Sequence, residues 1–468
     1  VWRTGRKETK MQSNNYKLEY ESKRVSAETA AQVVRNGYRV HFGTGAGIVD
    51  TMDKALAMRV SELRDVTILS TVGIHEEPLA TYRAAAALGE EGPKHVRFTS
   101  AHFSAFDRRM ADEGNCWYMP MMFCELPELW NDNGNHIDVA MFQVGPMDSN
   151  GDFNLGPQVA DMLGVIRGAR KIVVEVNENM PFAYGYSNEI NIKDVDYIVE
   201  GENLPLAELK MKAPSAEDQE IANHVVQNLE SGSTIQIGIG GLPSSVGSLL
   251  ANSDINELNI HTEMFVDAYL DLYAAGKIVN KINLPMNHGR AVYSFAAGSK
   301  RLYDFINNNP TCCCAPVEWV NNCTNIAEIN KFVSINSCIA VDIYGQVCAE
   351  TAGYKQVSGT GGQLDFVIGA YRSNGGKSFL CLPSTRTLKD GRRVSLITPI
   401  LPPGSVVTTP RSCTGFIVTE YGAVNLKGKS TWERAEMLIG ISHPDFRDDM
   451  IREAEKMGIW SNTSKREY

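Results

Sequence analysis

Two kinds of residue in this sequence could do chemistry together: a carboxylate closing an apolar run, and the glycines that come before it. Ser233-Thr234-Ile235-Gln236-Ile237 is a short β-branched run entering Gly238-Ile239-Gly240-Gly241, after which Leu242-Pro243-Ser244-Ser245 opens an apolar helical pattern. Glycines permit positive φ and let a ligand approach backbone N–H groups, while the N-terminus of the next helix favours an anion. The same residues also fit an ordinary tight strand-to-helix turn, since the full Gly-x-Gly-x-x-Gly spacing is missing. About twenty residues on, Leu258-Asn259-Ile260-His261-Thr262-Glu263-Met264-Phe265 reads as a second strand whose end carries Glu263. In an open α/β sheet ligands gather beyond the C-terminal strand ends, so Glu263 and the glycine loop would face one crevice. Taken alone, such a glutamate could equally lie on the surface or cap the next helix.

A second glycine turn, Gly359-Thr360-Gly361-Gly362-Gln363, and then Gly375-Gly376-Lys377 precede the apolar strand Ser378 to Leu382. Backbone N–H groups in such turns can form an anion nest, or simply turn the chain. Lys377, Arg386, Lys389, Arg392 and Arg393 concentrate positive charge behind the turn. They form either a local patch for a polyanion or a solvated loop.

These residues need a scaffold, and the sequence repeats one. Asn36 to Gly47 parallels Ser231 to Leu242 at an offset of 195, with a helical segment before each, Ala27 to Arg35 and Ile221 to Leu229. Val144 to Gly151 parallels Cys338 to Gly345 at an offset of 194. β-Branched runs alternate with helical periods, as at Val66 to Val72 and Lys171 to Val176, which favours mainly parallel sheets covered by helices. The reading is two duplicated open α/β domains, 1–212 and 213–468, divided where Ala213-Pro214-Ser215-Ala216-Glu217-Asp218 gives a polar break and a Ser-x-x-Asp helix start. The first half has its own Ile74-His75-Glu76-Glu77 to set against Ile260 to Glu263. Glu77 is thus the rival carboxylate, and we read it as structural or as part of an acyl-side wall.

A chain of 468 residues with 43% hydrophobic content can bury two cores. Its net charge of −10 argues against nucleic-acid or anionic-membrane surfaces, and a polyanionic ligand would need local cations. No apolar run reaches the roughly 18 residues of a membrane span, and no signal-peptide core opens the chain, so a cytoplasmic location is expected. Val1 to Lys10 is polar and basic ahead of Met11 and reads as an added leader or an artefact of start-site choice. Ten cysteines without a Cys-x-x-Cys pair, and no His-Glu-x-x-His, leave reduced thiols and no metal site to propose.

Ile-Gly-Ile-Gly-Gly-Leu-Pro, Ile-His-Thr-Glu-Met, Ser-Gly-Thr-Gly-Gly-Gln-Leu-Asp-Phe (Ser358 to Phe366) and Ser-His-Pro-Asp-Phe-Arg (Ser442 to Arg447) occur in one order over nearly the whole chain. Together they resemble the acetyl-CoA hydrolase/transferase family, and within it the 4-hydroxybutyrate and butyrate:acetate CoA-transferases. The resemblance implies a CoA-transferase-like fold and transfer of CoA between a short-chain acyl-CoA and a carboxylic acid such as acetate, by ping-pong kinetics. It makes Glu263 the carrier of a glutamyl-CoA thioester and gives Gly361 and Gly362 the oxyanion and CoA-contacting loop. Asn321 would be a site asparagine, although Cys323-Thr324 replaces the family's usual Pro or acid nearby. Gly240, Gly241, Leu242, Pro243, Ser244, Gly361 and Lys389 would contact CoA, which is a substrate; no permanently bound cofactor is implied. A homodimer or larger assembly is also implied. The alternatives are an acyl-CoA hydrolase using the same Glu263 and, from another class, a nucleotide-binding module without catalysis.

Overall fold

The computed structural model describes residues 15–131, 135–210, 213–238 and 240–459. The leader read at Val1 to Lys10 lies outside the described residues, as do residue 212 of the expected domain boundary and Ile239 of the first glycine loop. The chain forms two compact units, one taking the chain up to Leu209 with Val292–Trp319, the other taking Lys210–Ala291 and the chain from Val320 on.

The first unit carries a sheet of seven strands: β1 (Arg39–Thr44), β2 (Val66–Thr71), β3 (Val96–Ser100), β4 (Cys116–Tyr118), β5 (Val139–Val144), β6 (Ile172–Val176) and β7 (Tyr197–Glu200). Their order is β4-β3-β2-β1-β5-β6-β7, parallel throughout. β5 and β6 are buried along their whole length, and their near-continuous apolar sequences suit strands covered on both faces. In the second unit, β8 (Thr234–Ile237), β9 (Asn259–Phe265), β10 (Phe332–Ser337), β11 (Lys377–Cys381), β12 (Phe416–Thr419) and β13 (Gly422–Asn425) run in the order β9-β8-β10-β11-β12-β13. Only β13 is antiparallel among these pairings, folded back on β12.

The order β2-β1-β5-β6-β7 in one unit and β9-β8-β10-β11-β12 in the other is the same order, so the duplication read from sequence is a duplicated topology. The shared Asp-x-x-Gly piece has a structural cause. Asp148 Oδ1 accepts from the N–H groups of Asn150 and Asp152, at 2.8 and 2.9 Å. Asp342 Oδ1 does the same for Tyr344 and Gln346, at 3.1 and 2.9 Å. Gly151 and Gly345 close these loops at φ of 83° and 87°, where an L side chain is strained.

Helix α1 (Ala216–Val226) begins with the expected capping box, in which Ser215 and Asp218 bond each other's backbone N–H. Helices α2 (Gly241–Ala251) and α3 (Gln363–Arg372) follow the two glycine turns of this unit. The charged tail forms Thr431–Gly440 and Pro444–Lys456, broken at the Ser-His-Pro motif. Ser442 Oγ donates to the carbonyl of Ile439 at 2.6 Å and closes the first helix, while Pro444 opens the second. That motif is helix punctuation. Cys312–Cys314 is a buried strand, and none of the ten cysteines, all of them among the described residues, is in a disulfide. Burial pushes the Cys312 thiol up to about 12. Among the described residues no helix is long and apolar enough to cross a membrane.

Candidate active site

β8 and β9 pair in parallel with Ile235 opposite Ile260, and continuing that register sets Gly238 level with Glu263 at the C-terminal edge of the sheet. Gly238 N–H is bound by the carbonyl of Ile335 at 3.0 Å, which ties the start of the loop to β10. Gly240 then takes φ 120° as the N-cap of α2, a conformation open to glycine, and it has no side chain to offer the first-turn N–H groups. A Cβ on Gly241 would meet Asp218 Oδ2 at 2.5 Å, so this glycine is needed for packing against the start of α1. Leu242 and Pro243 are buried, and Ser244 is partly exposed. Ser245 Oγ is buried without a partner at the same helix start.

Glu263 is the one partly accessible position in the otherwise buried strand β9. Asn321, fully buried, donates from Nδ2 to Glu263 Oε2 at 2.6 Å, and the backbone N–H of Gly362 also favours the charged carboxylate. Burial dominates the electrostatics and lifts the Glu263 carboxyl to about 7; the two donors pull it back. A carboxylate stripped of most of its water is a better nucleophile than a solvated one. The glycine at 362 is a steric requirement, because a Cβ there would run into both Glu263 Oε2 and the Asn321 amide. Gly361 sits at φ 55°, with the Glu263 Oε1 atom 3.8 Å from where its Cβ would be. The second glycine turn thus lies against the carboxylate.

Residues that the sequence did not single out hold this arrangement. Gln363 donates to the carbonyl of Ser337 at 3.1 Å and accepts from Thr409 Oγ1 at 3.0 Å, pinning the start of α3 to the end of β10. Thr360 Oγ1 donates to the buried Glu350 carboxylate at 3.2 Å. His261, fully buried, holds the carbonyl of Val320 at 2.7 Å through Nε2 and accepts from Asn287 Nδ2 at 3.0 Å through Nδ1. No sequence pattern announces these contacts, which span from 10 to 59 residues.

The cationic cluster divides. Lys377 donates to the carbonyl of Asn228 at 2.7 Å and lies 3.8 Å from Glu230; Arg392 pairs with Asp390 and Arg393 with Asp445. Lys389 stands exposed at the turn between the paired strands Thr385–Thr387 and Arg393–Ser395. No contact among the described residues joins it to Glu263. Among the described residues no group of three or more His, Cys, Asp or Glu side chains could hold a metal ion.

The rival carboxylate is differently placed. Val40 pairs with Ile68 as Ile235 pairs with Ile260, so the repeat puts Ile68 at the position of Ile260 and Thr71, not Glu77, at that of Glu263. Glu77 is exposed on the loop beyond β2, 3.7 Å from Arg109. Thr71 is buried and donates to Asp161, which also accepts from Thr44 and Trp130. The carboxylate that this network brings to Thr71, Asp161, is buried and engaged by all three donors.

Family models described as the acetyl-CoA hydrolase/transferase N-terminal and C-terminal domains match residues 8–210 and 298–454. A butyryl-CoA:acetate CoA-transferase of Anaerostipes caccae is 44% identical, over 96% of this chain and 100% of its own. A 4-hydroxybutyrate coenzyme A transferase of Clostridium kluyveri is 37% identical, over 93% of this chain and 98% of its own. The crystal structure of RipA from Yersinia pestis superposes with a TM-score of 0.86 at 34% identity, covering 95% of this chain and 99% of that one.

Proposed function

The chain belongs to the acetyl-CoA hydrolase/transferase family, and on that premise we propose that it moves CoA between a short-chain acyl-CoA, such as butyryl-, 4-hydroxybutyryl- or acetyl-CoA, and a carboxylic acid such as acetate. The observation that carries this reading is the desolvated Glu263 carboxylate held on one oxygen by Asn321.

Glu263 Oε1, the oxygen that Asn321 does not hold, attacks the thioester carbon. The C–S bond breaks, giving an acyl-glutamyl anhydride and CoA thiolate. The thiolate then attacks the Glu263 carboxyl carbon, expelling the first acid and leaving a glutamyl-CoA thioester. The acceptor carboxylate attacks that thioester, and the released thiolate takes the new acyl group. Exchanging one thioester for another of similar energy suits a carboxylate nucleophile, and splitting the exchange gives ping-pong kinetics. In the second step the developing oxyanion is Glu263 Oε2 itself, already facing the Asn321 amide, with the Gly362 N–H beside the same carboxyl. Donors in place before the charge forms stabilise it without reorganisation. The backbone at Gly240 to Ser244 and at Gly361 lines the crevice for CoA, and Lys389 supplies a cation for its phosphates.

The test is butyryl-CoA with acetate, following acetyl-CoA by mass spectrometry and free thiol by colour. Acetyl-CoA formation that requires acetate supports the transferase. Thiol release at equal rate with and without acetate would make the protein a hydrolase, and no reaction with any of the three acyl-CoAs would favour a binding module.

A further inference from the structure

We infer that His261 is a positioning residue for the proposed exchange, fixing the Asn321 amide on Glu263 by holding the carbonyl of Val320. The inference rests on the transferase reading for its kinetic consequence only.

β-Strand side chains alternate between faces, so His261 and Glu263 leave β9 on the same side. Val320 O and the Asn321 backbone N belong to one planar peptide unit. The 2.7 Å bond from His261 Nε2 therefore sets the plane from which the Asn321 side chain departs, and that side chain returns to the strand at Glu263 Oε2, 2.6 Å away. One strand thus supplies both the carboxylate and the anchor of the carboxylate's partner.

His261 is built for this task and not for proton transfer. Val320 accepts, so Nε2 carries the hydrogen and Nδ1 accepts from Asn287, which occupies both ring nitrogens. Its ring stands edge-on to Phe332 at 5.9 Å and is fully buried. Burial holds the imidazole down to about 4, so it stays neutral at physiological pH. The duplicated copy gives an independent indication. The register that places Thr71 at the Glu263 position places Leu69 at that of His261, so the half without the carboxylate also lacks the anchor.

The experiment compares wild type with His261→Leu, which fills the space, and His261→Gln, whose amide can donate to Val320. In His261→Leu, kcat should fall roughly 10- to 100-fold, as misplacement of a site group by about 1 Å does, while KM for acyl-CoA moves less than about three-fold. His261→Gln should restore most of the loss at a comparable melting temperature. A readout without turnover separates this from the transferase reading: the carboxyl titration of Glu263, followed by 13C NMR in the unliganded protein. The groups that act on that carboxyl beside its burial are both neutral donors, Asn321 and Gly362. Loosening Asn321 removes a bond to the charged form, so the midpoint should rise by about one pH unit in His261→Leu and return in His261→Gln. Equal midpoints in all three proteins, or loss in both variants that follows melting temperature, would overturn the inference. A raised midpoint in a protein that exchanges no CoA would sustain the positioning and sink the transferase.

Discussion

Asn321 donates to Glu263 Oε2 at 2.6 Å while its own Oδ1 is buried with no partner. An amide that satisfies a carboxylate and leaves its other end unpaired is arranged for that carboxylate. Asn321→Ala should lower kcat about 10²- to 10³-fold, the range for losing one oxyanion donor. KM for acyl-CoA should change little. A loss confined to KM would remove Asn321 from the chemistry.

Gly362→Ala probes the same spot from the other side. Its φ of −100° admits alanine without strain, but the added methyl collides with Glu263 and Asn321. Activity should drop at least about 10²-fold in a protein that melts near the wild-type temperature. Gly361 is a poorer probe, since at φ 55° any side chain strains the turn whether or not a ligand approaches. Wild-type turnover in Gly362→Ala would show that the carboxylate does not need its present seat.

The carboxylate must be ionised to attack, so kcat/KM should rise with pH and level off above about 7, the value to which burial lifts Glu263. The same shift has a stability cost of known sign. A carboxyl raised from 4.5 to about 7 in the fold favours folding fully below 4.5, and that contribution is lost as pH rises through 7. Glu263→Gln should therefore match wild type near pH 4 and exceed it at pH 8, by about 1–3 kcal/mol or a few degrees in melting temperature. Equal melting curves at pH 8 would mean that the carboxylate is not desolvated.

Lys389 is predicted to contact a CoA phosphate from its exposed turn. An exposed ion pair is worth about 0.2 to 1 kcal/mol, so Lys389→Ala should raise KM for acyl-CoA roughly 1.5- to 5-fold. KM for the free acid should stay put, and the difference should shrink as salt is added. Equal effects on both substrates would return Lys389 to the solvated loop.

The parts of the site that local pattern governs were legible in the sequence. β-Branched runs ending in glycines mark β8 and its loop, and the Ile-His-Thr-Glu run marks a strand with its carboxylate near the end. The repeated Asp-x-x-Gly loops exposed the duplication because a side-chain turn and a left-handed glycine both constrain residue type. The pairing of Ile74-His75-Glu76-Glu77 with Ile260 to Glu263 misled, since likeness in a short string carries no register. Only the opposition of Val40 to Ile68 brings Thr71 to that place. Charge clustering was equally mute about partners. Lys377 looked like a candidate for phosphate yet is engaged by Asn228 and Glu230. The role of His261 depends on a carbonyl 59 residues away, a distance over which spacing carries no information.

Thr71 stands in the first copy at the strand position that Glu263 holds in the second, so the duplicated scaffold carries the proposed nucleophile once. An active-site titration should then reach one equivalent per chain. With unlabelled acyl-CoA in the absence of acceptor, followed by tritiated borohydride, which reduces the glutamyl thioester to the alcohol and expels CoA, the tritium should mark one side chain per chain, in the peptide containing Glu263. A second equivalent, or label on Glu77, would mean that both halves turn over.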